Sequence, residues 1–294
     1  MKVGFVSLTG RPNVGKSTLL NAMIDSHLAI TSDKAGTTRH VIQGIYNDDD
    51  SQIVFVDTPG IAKPIHKMGS VLNKKAYGEM ESVDLILLLL DASVGLTNGD
   101  ERIIKNLKED TPVILVLNKM DKIPRENLLL IIDEASKLFP FKEIIPVSAK
   151  NKKNLKDLLD SIKKYLEEGE PYYKEEEFTN VSTKFLVAEL VREKLLRKTR
   201  EEVPHAITCL VENYREQKDK VYIQVLIVVD RDNLKKIIIG KNGSMLKEVG
   251  MEAREDIERL INKKVYLSTF VKTIDNWRDR EKYLQELGIN DMDE

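Results

Sequence analysis

The sequence predicts an α/β domain with a doubly wound, mostly parallel sheet, followed by a smaller α+β domain. In the first half of the chain, short apolar runs alternate with helical patterns, which is typical of a sheet covered by helices on both faces. Beyond residue 180 the predicted order changes to α-β-β-α-α-β. A chain of 294 residues also has room for two domains of ordinary size.

The first domain is predicted to contain short strands, several of them apolar throughout. These strands are expected at residues 3–8, 41–46, 53–56, 85–90, 113–117 and 144–147. Helices are expected between them at residues 17–24, 100–107, 126–138 and 155–166. Ligands of such folds bind at the carboxyl ends of the strands, so the loops that follow the strands are where a site is expected.

An acidic stretch near residue 167 separates the two predicted domains. It is rich in glutamate, and Gly169 and Pro171 interrupt any regular pattern. We predict a first domain at residues 1–167, a linker at 168–180 and a second domain at 181–294. Within the second domain, helices are expected at 181–197, 234–239 and 244–261, and strands at 205–213, 221–229 and 265–271.

Composition excludes several classes of protein. Hydrophobic residues make up 41% of the chain and the net charge is only −2, which is not typical of a disordered chain. The single cysteine, Cys209, excludes an internal disulfide or a cysteine-based zinc site, and its apolar neighbours predict a buried strand residue. The longest apolar run, 85–90, is far shorter than the roughly 20 residues of a membrane span. With no signal-peptide pattern at the N-terminus, we expect a cytoplasmic protein. We also expect the protein to be a monomer.

Residues 10–17, GRPNVGKS, match the phosphate-binding pattern G-x-x-x-x-G-K-[ST] in full. The motif follows a predicted strand and opens a predicted helix, as this pattern requires. Gly10 and Gly15 allow backbone N–H groups to point at phosphate oxygens. Lys16 is expected to reach the β- and γ-phosphates, and the Ser17 hydroxyl to bind Mg²⁺. The segment therefore predicts a nucleoside triphosphate site.

Residues 57–60, DTPG, follow the predicted strand at 53–56. Asp57 is expected to hold Mg²⁺ through water, because this hard ion keeps several waters and prefers carboxylate oxygen. Gly60 allows a backbone N–H to approach the γ-phosphate, so its position can report whether that phosphate is present. The pattern alone would indicate an ordinary turn, and its weight comes from the phosphate loop before it.

Residues 118–121, NKMD, and 148–150, SAK, follow two further predicted strands. The Asp121 carboxylate can accept hydrogen bonds from N1–H and the 2-amino group of guanine, whereas adenine would leave it unpaired. The SAK segment is expected to donate a backbone N–H to guanine O6. The predicted nucleotide-binding residues are Gly10, Arg11, Pro12, Asn13, Val14, Gly15, Lys16, Ser17, Thr18, Asp57, Thr58, Pro59, Gly60, Asn118, Lys119, Met120, Asp121, Ser148, Ala149 and Lys150.

This series of motifs resembles that of translation-factor-class GTPases. The forms GRPNVGKST at 10–18 and GTTR at 36–39 are similar to the branch that contains Era, the tRNA-modifying GTPases and the double-GTPase ribosome-assembly factors. The resemblance implies that residues 31–40 form switch I. It implies that Thr38 joins Mg²⁺ when GTP is bound, with Thr37 as the alternative. The implied Mg²⁺ ligands are Ser17, Thr38 and Asp57.

Catalysis of hydrolysis is less well specified. Many switch GTPases place a glutamine directly after D-x-x-G to orient water, but that position is Ile61 here, and we expect slow turnover. In related GTPases with this phosphate loop the asparagine helps hold K⁺, so Asn13 is a candidate K⁺ ligand; shaping the loop is its alternative role. Arg39, or an arginine from a partner, is a further candidate for positive charge. The predicted catalytic residues are Lys16, Thr38, Gly60 and Asn13.

In the second domain, residues 240–243, GKNG, lie between two predicted helices and follow three isoleucines. A G-x-x-G loop there brings the backbone close to phosphates. With its element order the segment resembles a type II KH domain, and a helix-turn-helix corner is the alternative. Ile238, Ile239, Met245 and Leu246 are candidates for the groove floor or for the core. The predicted RNA-binding residues are Lys235, Lys236, Gly240, Lys241, Asn242, Gly243 and Lys247.

A GTPase domain followed by a KH domain is the arrangement of the Era family, which the NWRD segment at 276–279 also resembles. The resemblance implies a Mg²⁺-dependent GTPase that binds the 3′ end of small-subunit ribosomal RNA and assists 30S subunit assembly. It further implies peripheral contact with the inner face of the cell membrane, which no residue pattern predicts. The alternatives are a GTPase that acts on another RNA, a membrane-associated cell-cycle regulator, and a metabolic enzyme. The absence of a second catalytic motif argues against the last.

Overall fold

The computed structural model describes residues 1–34 and 36–290, which form two compact units. The first unit is drawn from residues 1–180, and the body of the second begins at Val181. Among the described residues, no helix is both long and apolar enough to span a membrane.

The first unit is an α/β fold around one twisted sheet. Its strands lie in the order β2-β3-β1-β4-β5-β6, and the short β7 pairs with β1. All neighbours in this order are parallel except β2, which is antiparallel to β3. The strands are β1 (Lys2–Thr9), β2 (Ile42–Asn47), β3 (Ser51–Asp57), β4 (Leu85–Asp91), β5 (Val113–Asn118), β6 (Glu143–Pro146) and β7 (Glu167–Glu168). The helices are α1 (Lys16–Ile24), α2 (Lys67–Glu79), α3 (Asn98–Ile104), α4 (Arg125–Ser136) and α5 (Leu155–Lys163).

This architecture confirms the predicted fold class, and it positions the site. The central strands β3, β4 and β5 are buried along their whole length, as expected for strands covered on both faces. The chain reverses its winding direction at β1, which has β3 on one side and β4 on the other. The loop after β1 therefore starts at the switch point, where α/β folds bind ligands.

Helix α2 was not predicted. Its buried side chains, Met68, Leu72 and Ala76, recur every four residues and form one helical face. The helical pattern of this segment is weak in the sequence because Gly69 and Gly78 lie inside the helix, and glycine is a poor helix former.

The segment predicted as a linker, residues 168–180, packs along the edge of the first unit. The side-chain amide of Gln52 donates to the backbone carbonyl of Tyr173 and accepts from its backbone N–H, both at 2.9 Å. The backbone N–H of Ile45 in β2 donates to the carbonyl of Phe178 at 3.0 Å. An edge strand leaves backbone N–H and C=O groups without partners on its open side, and this segment supplies hydrogen-bond partners for some of those groups. Residues 168–180 therefore belong to the first unit and are not a free connector.

The second unit is α+β with a sheet in the order β10-β9-β8, in which β9 and β10 are parallel. One sheet face packs on the helices through alternating buried residues such as Val221, Ile223 and Val225. This confirms the predicted α-β-β-α-α-β order, to which a short C-terminal helix is added. The elements are α6 (Thr183–Lys198), β8 (Ile207–Glu216), β9 (Lys220–Val229), α7 (Asp232–Ile239), α8 (Ser244–Ile261), β10 (Lys264–Thr273) and α9 (Glu281–Glu286).

The NWRD segment at 276–279 lies between β10 and α9 and packs into the second unit. Trp277 is fully buried, and its indole N–H donates to the carbonyl of Ala206 at 3.1 Å. The Arg278 guanidinium donates to the buried carboxylate of Asp230 at 2.6 Å. Cys209 lies in β8 and packs against the core, although it is only partly buried. The C-terminal segment is therefore held by one aromatic anchor and one buried ion pair.

Candidate nucleotide-binding site and nucleic-acid interface

The phosphate loop joins β1 to α1 and depends on its glycines. Gly10 has φ +147°, and a Cβ there would lie 2.5 Å from the carbonyl oxygen of Leu89. Gly15 has φ +102°, which side-chain-bearing residues rarely adopt. The ammonium of Lys16 donates to the carbonyls of Gly10 at 3.2 Å and Arg11 at 3.0 Å. The loop thus closes around a lysine that is only 5% exposed.

Two charges are buried at this point, and both have displaced pKa values. Burial lowers the pKa of Lys16 to about 8, with a smaller lowering from Arg11 and an opposing effect of Asp57. Burial raises the pKa of Asp57 to about 6, although Lys16, Ser17 and Thr38 favour its carboxylate. Each charge is under-compensated in the protein alone. A phosphate beside the ammonium and a cation beside the carboxylate would supply the missing counter-charges.

An oxygen cluster forms where the phosphate loop meets the end of β3. The Ser17 hydroxyl donates to Asp57 Oδ2 at 2.7 Å and lies 2.9 Å from the Thr38 hydroxyl. The other carboxylate oxygen, Asp57 Oδ1, is buried and has no hydrogen-bond partner among the described residues. Hydroxyl and carboxylate oxygens are ligands that suit Mg²⁺, so these residues fit that ion. Thr38 lies in this cluster, which favours it over Thr37, and nearby Arg39 is buried.

The DTPG segment packs directly on the phosphate loop. A Cβ at Gly60 would lie 2.7 Å from the backbone nitrogen of Pro12, so glycine is required there. The N–H of Ile61 donates to the carbonyl of Gly10 at 3.1 Å, and the Ile61 side chain enters the core. Thr58 is fully buried and donates to the carbonyl of Leu8 at 2.8 Å. The Thr58 hydroxyl therefore anchors the loop to the sheet.

The NKMD segment links the remaining loops. The Asn118 side chain donates to the carbonyl of Val14 at 2.8 Å and accepts from the N–H of Ala149 at 3.0 Å. The Lys119 ammonium donates to the carbonyl of Asn13 at 2.7 Å. Both residues therefore brace the pocket through protein contacts of their own.

Asp121 is the exposed carboxylate of this motif. A hydrogen bond from Ser148 is the main cause that holds the pKa of Asp121 below its ordinary value. The side chain is thus an ionised acceptor beside the SAK segment, as recognition of guanine requires.

The remaining predicted nucleotide residues lie in the same group of loops and turns. Pro12 follows β1, Pro59 follows β3, and Lys150 follows β6. Thr18 lies in the first turn of α1, and Met120 begins a 3-10 turn directly after β5. The parallel sheet thus brings all the predicted motifs of the first unit to the carboxyl edge of its strands.

Two residues that position the site, Asp91 and Asp100, were not predicted from the sequence. Asp91, at the end of β4, binds the Lys119 ammonium at 2.5 Å and accepts from the Ser93 hydroxyl at 2.6 Å. Asp100, buried in α3, pairs with Arg11 at 2.8 Å. The position of Asp91 after an apolar strand, like that of Asp57, was the available signal. The Arg11 guanidinium, predicted to bind nucleotide, has this protein partner.

In the second unit, the GKNG loop joins α7 to α8 and also requires its glycines. Gly240 has φ +74°, and a Cβ there would lie 2.8 Å from the Cβ of Met245. Gly243 has φ +76° and Asn242 has φ +53°. Lys241 and Asn242 are exposed at the tip of the loop. The loop therefore presents its backbone and two polar side chains to solvent.

A cavity of about 1070 Å³ lies beside this loop. Gly243, Leu246 and Lys247 line it from the loop side. Of the other floor candidates, Ile238 is fully buried in the core. Lys235 and Lys236 lie on α7. Gly243, Leu246 and Lys247 are thus the predicted residues that the structure places at the cavity.

Comparisons with known proteins agree with both units. Residues 5–119 match the family described as 50S ribosome-binding GTPase, and residues 202–278 match the KH domain. The chain is 46% identical to the GTPase Era of Leuconostoc citreum over 294 residues, which cover 99% of this chain and 97% of that protein.

Two solved structures are similar to the whole chain, each with 43% identity and a TM-score of 0.95 over 98% of this chain and 99% of the other. One is an Era variant from Aquifex aeolicus bound to GDP and AlF4⁻. The other is Era in complex with MgGDPNP and nucleotides 1506–1542 of 16S ribosomal RNA. With a guanine-nucleotide site in the first unit and a KH domain in the second, the chain belongs to the Era family of GTPases and hydrolyses GTP.

Proposed function

We propose that this protein is a GTP-dependent switch that binds the 3′ end of small-subunit ribosomal RNA and assists 30S subunit assembly. The observation that carries the proposal is the exposed GKNG loop beside a large cavity, in the same chain as a complete GTPase site. The similar Era structure that holds nucleotides 1506–1542 of 16S ribosomal RNA supports the choice of RNA. The KH domain is the anchor, and the bound nucleotide sets the state of the switch.

In the nucleotide site, the protein groups bind and orient the substrate. The Lys16 ammonium meets the β- and γ-phosphates, and the Asp121 carboxylate meets the guanine edge. Ser17, Thr38 and Asp57 would hold Mg²⁺, which neutralises phosphate charge when bound. Thr38 belongs to the switch I segment, so its place in the oxygen cluster links that segment to the nucleotide state.

Water must be oriented without a glutamine, because Ile61 is a core residue. The backbone of Gly60 packs against Pro12 of the phosphate loop and is our candidate for this task. We further propose that Asn13 helps hold K⁺, which supplies positive charge beside the phosphates. Asn13 is exposed in the phosphate loop at φ +65°, with its backbone carbonyl held by Lys119.

RNA binding is tested by reversing the charge of the loop. Replacing Lys241→Asp and Asn242→Asp puts two carboxylates where RNA phosphates are expected. We expect the affinity for a single-stranded RNA with the small-subunit 3′-end sequence to fall at least about tenfold at fixed salt. GTP hydrolysis without RNA should be unchanged, because the loop lies outside the nucleotide site.

A matched control makes the same change of net charge elsewhere in the second unit. Thr183→Asp with Lys184→Asp alters two exposed residues in the first turn of α6, where acidic side chains are favoured. This variant should bind RNA within about threefold of the wild type. Wild-type RNA affinity in the folded loop variant would contradict RNA binding at the GKNG loop. Thermal melts on each preparation establish that the variants are folded.

The choice of RNA is tested in cells. Crosslinking followed by sequencing of the bound RNA should recover the 3′ end of small-subunit ribosomal RNA, and depletion of the protein should leave 30S subunits incomplete. Recovery of tRNA or messenger RNA instead would favour the alternative in which the switch serves another RNA. The cytoplasmic location, the monomeric state and the peripheral membrane contact stay predictions, which fractionation and sedimentation would test.

A further inference from the structure

The KH-domain sheet has an outer face, turned away from α6, α7 and α8, that carries exposed aromatic rings. Tyr222 is 40% exposed, Tyr266 53% and Phe270 51%. Along β9 and β10 these residues alternate with the core residues of the inner face. Large apolar groups clustered on a surface commonly mark a binding site. We therefore define the outer-face row as Arg215, Tyr222 and Tyr266.

The row crosses all three strands. Tyr222 is the direct neighbour of Arg215 on β8 and of Tyr266 on β10. The two tyrosine rings are stacked, with centroids 4.9 Å apart and planes within 11° of each other. Phe270 lies four residues farther along β10 on the same face. The rings therefore form a flat ladder that a further planar ring can extend.

Positive charge surrounds this ladder. Lys220 and Lys264 are neighbours in the adjacent row, and the Lys220 ammonium lies 5.7 Å from the centre of the Tyr266 ring. The described residues that line the neighbouring cavity include one acidic side chain, Glu258, which accepts from the N–H of Val265 at 3.0 Å and lies 3.7 Å from the exposed Lys264 ammonium. The basic side chains of that lining are Arg215, Lys220, Lys247, Arg254 and Lys264.

Two other carboxylates lie near the same end of the sheet. Glu212 accepts a hydrogen bond from Gln224 at 3.3 Å, and Glu216 pairs with Lys263. Lys263 thus offsets the charge of Glu216, whereas the described hydrogen-bond partner of Glu212 is a neutral amide. The excess of positive charge around stacked aromatic rings suits a polyanion that also carries planar rings.

The outer-face row is continuous with the GKNG loop. Gly243 and Lys247, at the start of α8, line the same cavity of about 1070 Å³ as Tyr222 and Tyr266. The cavity therefore passes from the loop, over the edge strand β10, to the outer face. A KH groove holds about four unpaired nucleotides, so a longer strand that leaves the groove can follow this path.

We propose that the outer-face row is a second RNA subsite, which binds unpaired nucleotides that flank those held at the GKNG loop. Bases stack on the tyrosine ladder, and Arg215, Lys220 and Lys264 neutralise the adjoining phosphates. Stacking is tolerant of sequence, so this subsite adds affinity and direction to the RNA path with little selection of bases. The inference rests on the RNA binding proposed above and lengthens the RNA segment that the KH domain contacts.

The test compares two single-stranded RNAs that share one core sequence, with about five and about twelve unpaired nucleotides. Tyr266→Thr removes the ring and keeps a residue that favours strands. The variant should lose about tenfold in affinity for the longer RNA and bind the shorter RNA as the wild type does. Tyr266→Phe keeps the ring and should retain wild-type affinity for both.

A second variant does not depend on the aromatic pair. Lys264 is exposed, and Lys264→Gln should reduce by about one the salt dependence of binding for the longer RNA only. Equal affinity of the wild type and a folded Tyr266→Thr variant for the longer RNA would overturn the subsite, and so would an unchanged salt dependence in Lys264→Gln. Binding of neither RNA by the wild type would overturn RNA recognition as a whole.

One further outcome identifies a different occupant. Tyr266→Thr could change the sedimentation of the protein and leave RNA affinity unchanged. That result would show that a second copy of the chain covers the face, and it would also overturn the RNA subsite. The loop variant with Lys241→Asp and Asn242→Asp separates RNA binding at the GKNG loop from binding at the outer-face row, because it should weaken the binding of both RNAs.

Discussion

The side-chain amide of Asn118 donates a hydrogen bond of 2.8 Å to the carbonyl of Val14, which lies more than 100 residues earlier in the chain. The oxygen of the same amide accepts from the N–H of Ala149 at 3.0 Å. One buried side chain from the NKMD segment therefore joins the phosphate loop to the SAK loop. The phosphate and base ends of the pocket are held as one hydrogen-bonded unit.

Replacing Asn118→Ala should disrupt this unit. Both partners would be left buried without their hydrogen bonds, at a cost of about 1–3 kcal/mol each. We expect GDP affinity to fall at least about tenfold and the melting temperature to fall as well. Fluorescent-nucleotide titration and thermal melts measure the two effects. Asn106→Ala, an exposed asparagine of the same unit, is the control, and similar behaviour of the two variants would contradict the bracing role.

Replacing Asp121→Asn should alter base selection. An amide can donate to the oxo group at C2 of xanthine but cannot accept both donors of guanine. GTP affinity should fall and affinity for xanthosine triphosphate should rise in parallel titrations. Asp133→Asn, on the exposed surface of α4, should change neither affinity. Unchanged GTP affinity in Asp121→Asn would remove this residue from the base pocket.

Replacing Lys16→Met should separate stability from binding. Loss of a charge-assisted contact to phosphate should weaken GTP binding about 10- to 100-fold. The melting temperature of the nucleotide-free protein at neutral pH should be unchanged or higher, because the variant no longer buries an ammonium. A clear fall in melting temperature would show that Lys16 stabilises the empty loop.

The lowered pKa of Lys16 also predicts a pH-dependent difference in stability between the wild type and Lys16→Met. The pKa of Lys16 is about 8 in the folded protein and 10.5 in its ordinary state, so the unfolded chain binds more protons between these values. The free energy of unfolding of the nucleotide-free wild type should therefore rise from pH 8 to pH 10 relative to Lys16→Met. The expected slope is at most about 1.4 kcal/mol per pH unit in denaturant titrations. A constant difference between the two proteins would contradict the lowered pKa.

The proposed K⁺ site predicts that GTP hydrolysis is faster in K⁺ than in Na⁺ at equal ionic strength. Asn13→Ala should erase this difference because the side-chain ligand is lost. Asn13→Gly also lacks the side chain but accepts the positive φ of this position, so it controls for backbone strain. Both variants should lose the K⁺ preference. Equal wild-type rates in the two salts would exclude the site.

The predicted nucleotide site consists of short local motifs, which is why it could be proposed from the sequence. Lys16, Ser17, Asp57 and Asp121 each lie within a short motif, and each motif follows a strand that its apolar residues mark. Parallel strands bring such ends to one edge of the sheet, so the motifs had to meet. The GKNG loop was equally visible, because its glycines lie between two helical patterns.

The tertiary structure alone decided the contacts that join distant segments. The pairing of Arg11 with Asp100, the packing of residues 168–180 on the first unit and the stacking of Tyr222 on Tyr266 all depend on how separate elements meet. Alternation along β10 predicts which residues share a face, but not which residue of β9 lies opposite Tyr266. A shift of one residue between strands would replace that neighbour by a core side chain. The sequence by itself thus determined the chemistry of each motif, whereas register and packing determined which motifs and rings became partners.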